Sequence, residues 1–155
     1  MVPEPINTFI SSHEYFMQAC IALALIARER GDSPVGSVVV YEGKIIGEGI
    51  EGGKTRHDIT FHAEIEAIRR ATAFLQSQDL SACMMYTTHE PCIMCSYMIR
   101  HTRIHTIVAG LTTGEIGGYS SRLPVLADTT IKKWAAPPIF ISGVLEQACR
   151  ALHAS

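Results

Sequence analysis

At 155 residues the chain is long enough for one domain with a single sizeable core and short for two. An apolar fraction of 47% and a mean hydropathy of +0.17 exclude a disordered chain. The formal net charge is −2, and no run of Lys or Arg exceeds two residues, so no basic patch of the kind that neutralises nucleic-acid phosphates is legible.

Residues 1–10 read as a loose arm carrying Pro3 and Pro5, and residues 11–155 as one domain. The arm has no basic segment followed by an apolar one, as a signal peptide would, and no apolar run reaches membrane-spanning length. A cytoplasmic protein without a membrane partner is the expectation. Ser11-Ser12-His13-Glu14 offers a capping box, and Phe16, Ala19, Cys20, Leu23, Ile26 and Ala27 then repeat at helical spacing until Gly31 stops the helix. Val35–Tyr41 is an apolar, Val-rich run suited to a strand buried on both faces. Glu42-Gly43 turns it into a return strand over Lys44–Ile50.

Glu51–Thr60 is a polar loop that delivers His62 to the start of a helix running to about Gln76. A strand over Met84–Thr88 ends before Glu90-Pro91, and Pro91 fits the first turn of a helix over Cys92–Arg100. Ile104–Leu111 is a strand, Thr112–Ser121 a Gly-rich loop, Arg122–Ala127 a short helix, Ile139–Ser142 a last strand and Gly143–Leu152 a terminal helix. This alternation argues for an α/β domain.

Two stretches carry chemistry. His62-Ala63-Glu64 and Pro91-Cys92-Ile93-Met94-Cys95 supply one imidazole and two thiolates, a set that suits tetrahedral zinc with its fourth position left to water. Both lie at expected helix N-termini, where free N–H groups favour thiolates. Glu64, two residues beyond the His, is placed to move protons rather than to bind metal. The competing reading is a structural zinc site with His89 as fourth ligand, but such a site has no need of Glu64. Glu90 reads as a hydrogen-bonding support for the ligands. His57, His101 and His105 lack motif context, Trp134 reads as a core plug, and Met84, Met85, Met94 and Met98 as core filler. Cys20, Cys83 and Cys149 sit among apolar residues and read as buried free thiols.

The pattern H-x-E…P-C-x-x-C is the signature of zinc nucleobase deaminases. With Ser33-Pro34-Val35-Gly36, Gly47-Glu48-Gly49 and Thr88-His89-Glu90-Pro91-Cys92 in the same order, the chain resembles the cytidine-deaminase-like superfamily from about Ser11 to about Leu152. It looks closest to the branch holding tRNA adenosine deaminase, guanine deaminase and cytosine deaminase. The resemblance implies a three-layer α/β/α fold around a five-stranded mixed sheet and a homodimer or larger homo-oligomer. It also implies one zinc ion per subunit on His62, Cys92 and Cys95, with Glu64 as the catalytic acid–base. Candidate substrate contacts are Ala63, Pro91, His89 and Glu51.

At the last of these the chain departs from its relatives, which often carry Asn there. An ionised Glu only accepts hydrogen bonds, whereas Asn also donates, so Glu51 favours a donor-rich ring. Together with the low charge this makes a free nucleobase, nucleoside or related amino-heterocycle, guanine-like above all, the expected substrate, with ammonia released and no nucleic acid bound. The alternative is a tRNA-specific adenosine deaminase, which shares the motifs.

Overall fold

The computed structural model of the protein describes residues 11–154, so the expected arm at 1–10 lies outside it. Helix α1 (Ser12–Arg30) begins as the capping box requires: the Ser11 hydroxyl accepts the Glu14 N–H at 3.1 Å. It ends at Gly31, whose left-handed backbone sends its N–H to the Ala27 and Arg28 carbonyls. Strand β1 (Gly36–Tyr41) turns through Glu42 and Gly43, both at positive φ, into β2 (Lys44–Ile50), the geometry of a two-residue hairpin. There follow α2 (Ala63–Leu75), β3 (Cys83–His89), α3 (Ile93–Thr102), β4 (Thr106–Leu111), β5 (Ile139–Ile141) and α4 (Glu146–Ala151). The helix expected over 122–127 shrinks to one 3-10 turn, Val125–Ala127. The terminal helix starts later than its composition suggests, because Leu145 is left-handed ahead of it.

The strands form one sheet in the order β2-β1-β3-β4-β5, antiparallel across β2-β1-β3 and parallel across β3-β4-β5. Strand periodicity divides the core between its two faces. Val39, Met85 and Ile107 pack with Ile68 and Ala71 of α2 and Ile99 of α3. Val38, Val40, Tyr86 and Val108 pack with Phe16, Met17 and Cys20 of α1 and Cys149 of α4. The result is the expected three-layer α/β/α fold. Cys20, Cys83 and Cys149 are free and buried, as the sequence implied. Trp134 is not a core plug: it is half-buried against Tyr97, with the Arg100 guanidinium 4.8 Å from its ring centre.

One helix–sheet contact sets the position of the site. Ala63, Ala67 and Ala71, four residues apart and fully buried, form a small-residue stripe along α2. It lies against Gly47 and Gly49 of β2, where an added Cβ would run into the backbone carbonyls of Ala67 and Ala63. Close approach of backbone to backbone holds the first turn of α2, with His62 and Glu64, against the end of β2. That is the physical content of Gly47-Glu48-Gly49.

Candidate active site

The N-termini of α2 and α3 meet beyond His89, the last residue of β3. His62 is the N-cap of α2 and Cys92 the N-cap of α3, both with extended backbones. Pro91 therefore precedes the cap instead of occupying the first turn, and its carbonyl accepts the Gly118 N–H at 2.8 Å. His62 Nδ1 lies 3.5 Å from Cys92 Sγ and 3.5 Å from Cys95 Sγ. Ligands about 2.05 and 2.3 Å from a tetrahedral zinc stand about 3.6 Å apart, so the donor set fits that ion. Among the described residues no fourth His, Cys, Asp or Glu joins this cluster, which leaves the open position of a catalytic rather than a structural site.

The three clustered side chains share protons. Hydrogen bonding from Cys95, and then from His62, pulls Cys92 down to about 4 despite its partial burial. The Cys92 thiolate in turn pushes the His62 imidazole up to about 9 and, with burial, holds Cys95 well above the ordinary thiol value.

Glu64 is buried in the first turn of α2, and that burial pushes its carboxyl up to about 8. Thr87 Oγ stands 3.3 Å from Glu64 Oε2 and 3.0 Å from the His89 carbonyl. A hydroxyl has one proton, so both contacts are satisfied when a protonated Glu64 donates to Thr87 and Thr87 donates to His89. A dication on the neighbouring ligands favours the carboxylate and reverses this arrangement. The Glu64 carboxyl thus has a hydrogen-bond arrangement open to it in either protonation state.

A cavity of about 360 Å³ opens onto these groups, lined also by Val35, Glu51, His89, Thr113 and His153. The structure brings Glu51 and His89 to this wall. The side chains of Ala63 and Pro91 are buried behind it, which for Ala63 bears on the side chain and not on the backbone N–H expected to meet the substrate. Burial raises the Glu51 carboxyl, and the Gly53 N–H reaches it at 3.4 Å. The His89 and His153 rings pack 5.1 Å apart. His153 had no sequence signal: it arrives from the last turn of the chain through tertiary packing alone.

Two buried carboxylates hold the walls, Asp32 from behind and Glu90 from the lining itself. Asp32 accepts from the Lys54 and Thr55 N–H groups at 3.0 Å each and from the Thr55 hydroxyl at 2.7 Å, which pins the 51–60 loop. Glu90 accepts from the N–H groups of Thr113, Tyr119 and Ser120 and from the Ser120 hydroxyl, at 2.6 to 3.0 Å. This clamps the 112–121 loop over the Cys92 segment, and Gly117 leaves the space that the Glu90 carboxylate fills. Burial opposes the charge of Glu90, but the Ser120, Thr113 and Tyr119 hydrogen bonds outweigh it and hold the carboxyl below its ordinary value. A lowered folded-state value contributes stability at neutral pH, which is lost as pH falls through it, beneath the usual carboxylate range near about 4.3. Glu90→Gln is therefore expected to cost about 1–3 kcal/mol at neutral pH and to flatten the acid limb of stability. Thermal unfolding across pH checks this, and an unchanged acid limb would refute the clamp.

With the geometry in hand, comparison with known proteins places the chain. Residues 10–111 match the family model of the cytidine and deoxycytidylate deaminase zinc-binding region. The tRNA-specific adenosine deaminase of Buchnera aphidicola is 44% identical over 64% of this chain, a match that spans 61% of that relative's own length. The tRNA-specific adenosine deaminase of Aquifex aeolicus is 36% identical over 81% of this chain and 85% of its own. A solved structure from a study of A-to-I editing by tRNA:A34 deaminases at the wobble position of transfer RNA superposes with a TM-score of 0.82 at 30% identity, covering 89% of this chain and 98% of that one.

These relatives overturn two expectations. They are named for acting on adenosine in tRNA, against a free guanine-like substrate and against the absence of a nucleic-acid partner. Both expectations leaned on whole-chain charge, which does not report how charge is distributed over the folded surface. No described helix is long and apolar enough to cross a membrane. The fold, the motif and the family model agree that this chain belongs to the cytidine and deoxycytidylate deaminase family, hydrolases acting on C–N bonds.

Proposed function

We propose that this protein is a zinc-dependent tRNA adenosine deaminase, converting adenosine to inosine with release of ammonia. What carries the substrate is the likeness, over nearly the whole of that chain, to the tRNA:A34 deaminase. What supports the chemistry is a three-ligand cluster beside a buried carboxyl in an open cavity. The ion belongs on His62, Cys92 and Cys95, one per subunit, where it supplies Lewis-acid activation of water.

The residues of the chain do the rest. Glu64 accepts a proton from the attacking water as the new C–O bond forms at the purine carbon bearing the amino group. It then returns that proton to the amino nitrogen as the C–N bond breaks. Thr87 holds Glu64 through its hydroxyl and offers, among the described residues, a polar side-chain contact that adapts to either protonation state. Asp32 and Glu90 fix the two loops that form the walls, and Glu51 and His89 face the base.

The zinc-loaded protein, incubated with transcribed tRNA bearing a wobble adenosine, should form inosine and ammonia in equal amounts. Parallel reactions with free adenosine, guanine and cytosine should be slower by orders of magnitude in kcat/KM. Turnover of a free base that matches or exceeds that of tRNA would overturn the reading.

A further inference from the structure

A second cleft, of about 210 Å³, lies at the open edge of β2. Three arginines from three separate elements line it: Arg30 at the end of α1, Arg56 in the 51–60 loop and Arg70 on α2. All three are exposed, and among the described residues none has a carboxylate oxygen within salt-bridge distance. Two glutamates share the lining, but Glu66 is already paired with Arg69 at 2.7 Å, so only Glu48 stands unmatched against three guanidiniums. Arg56 lies with its guanidinium carbon 4.2 Å from the centre of the Phe61 ring. That stacking covers one face of the guanidinium and leaves its edge N–H donors free for a planar acceptor such as phosphate.

The cleft adjoins the catalytic cavity directly. Phe61 lines one and His62 the other; Ile50 lines one and Glu51 the other. Each pair is consecutive in the chain, so the two cavities adjoin at both ends of the 51–60 loop. At about 210 Å³ the cleft is below the size of ordinary small-molecule sites, roughly 300–1,000 Å³, but it has room for a phosphodiester group. Local surplus positive charge, in a chain of net charge −2, is what an RNA ligand requires.

We infer that Arg30, Arg56 and Arg70 form a phosphate-binding cleft that receives the RNA backbone beside the nucleotide presented to Glu64. The assignment rests on the tRNA reading above. It takes phosphate, not base edges, as ligand, so it sets affinity and register without selecting sequence.

The test compares three zinc-loaded proteins: wild type, Arg56→Gln/Arg70→Gln, and Arg103→Gln/Lys133→Gln. The last makes the same change in net charge on exposed residues outside the cleft. Binding of a tRNA anticodon stem–loop is measured across salt concentration, alongside inosine formation. The cleft variant should bind about tenfold more weakly, with a log–log salt slope shallower by about 1.4, or about 0.7 per lost single-strand phosphate contact. Its KM should rise by more than its kcat falls, and the charge-matched control should behave as wild type. If wild type forms inosine but the cleft variant keeps its affinity and slope, the cleft assignment falls and the function stands. Equal losses in the control, or a changed subunit count in the cleft variant by light scattering, also overturn it. If wild type forms no inosine in tRNA, the functional reading fails first and the RNA assignment goes with it.

Discussion

Replacing Glu64 by Gln is expected to leave zinc bound and the fold intact while turnover on tRNA drops by about a hundred- to ten-thousand-fold. Gln preserves the shape of a side chain that is only 3% exposed, so packing in the first turn of α2 is unchanged. Its amide can still donate to Thr87, which continues to donate to the His89 carbonyl. What disappears is the capacity to accept a proton and give it back. Inosine formation under single-turnover conditions, with zinc content measured on the same sample, checks the outcome. Near-normal turnover in a zinc-replete variant would remove Glu64 from the mechanism.

Cys95→Ser should cost most of the bound zinc, and with it activity that no excess of substrate restores. Cys95 is fully buried, so the metal would have to accept a hard hydroxyl at a position shaped for a soft thiolate. The proton distribution adds a pH signature to wild type. Without metal, Cys95 holds its proton, and His62, raised to about 9, holds a second one on its ring. Both leave when the ligands close on a cation, and Glu64, raised to about 8, gives up a third as the dication favours its carboxylate, so zinc uptake near neutral pH should release about three protons. The sign follows from competition: apparent zinc affinity rises with pH and weakens as pH falls below about 9, the value at which His62 takes up its proton. Titration against a chromophoric chelator across pH, with proton release followed in weak buffer, measures both. Full zinc content and turnover in Cys95→Ser, or a pH-independent affinity, would show that these three residues are not the ligand set.

The comparison with guanine-like substrates turns on residues whose chemistry was plain in the sequence but whose neighbourhood was not. Glu51 does line the cavity, 3.4 Å from the Gly53 N–H, yet an acceptor at one wall does not decide which ring is bound. Low net charge likewise said nothing about a cleft assembled from positions 30, 56 and 70, because arginines far apart in the chain leave no run to be seen.

By itself, then, the sequence determined whatever depends on short-range pattern. Ser11 and Gly31 bound α1 because capping is a contact among neighbours. The continuous apolar run of β1 marked a strand buried on both faces, and two motifs of five residues or fewer contain the three clustered side chains and Glu64. Tertiary structure decided everything that needs residues distant in sequence. It set the 3.5 Å spacing of His62 to both thiols and the clamp that Glu90 closes on Tyr119 and Ser120. It brought His153 to the cavity wall and left three arginines facing a single unpaired glutamate. Local preferences are set by a few neighbouring dihedrals and side chains, whereas the field and shape of a site are sums over every element that folds against it.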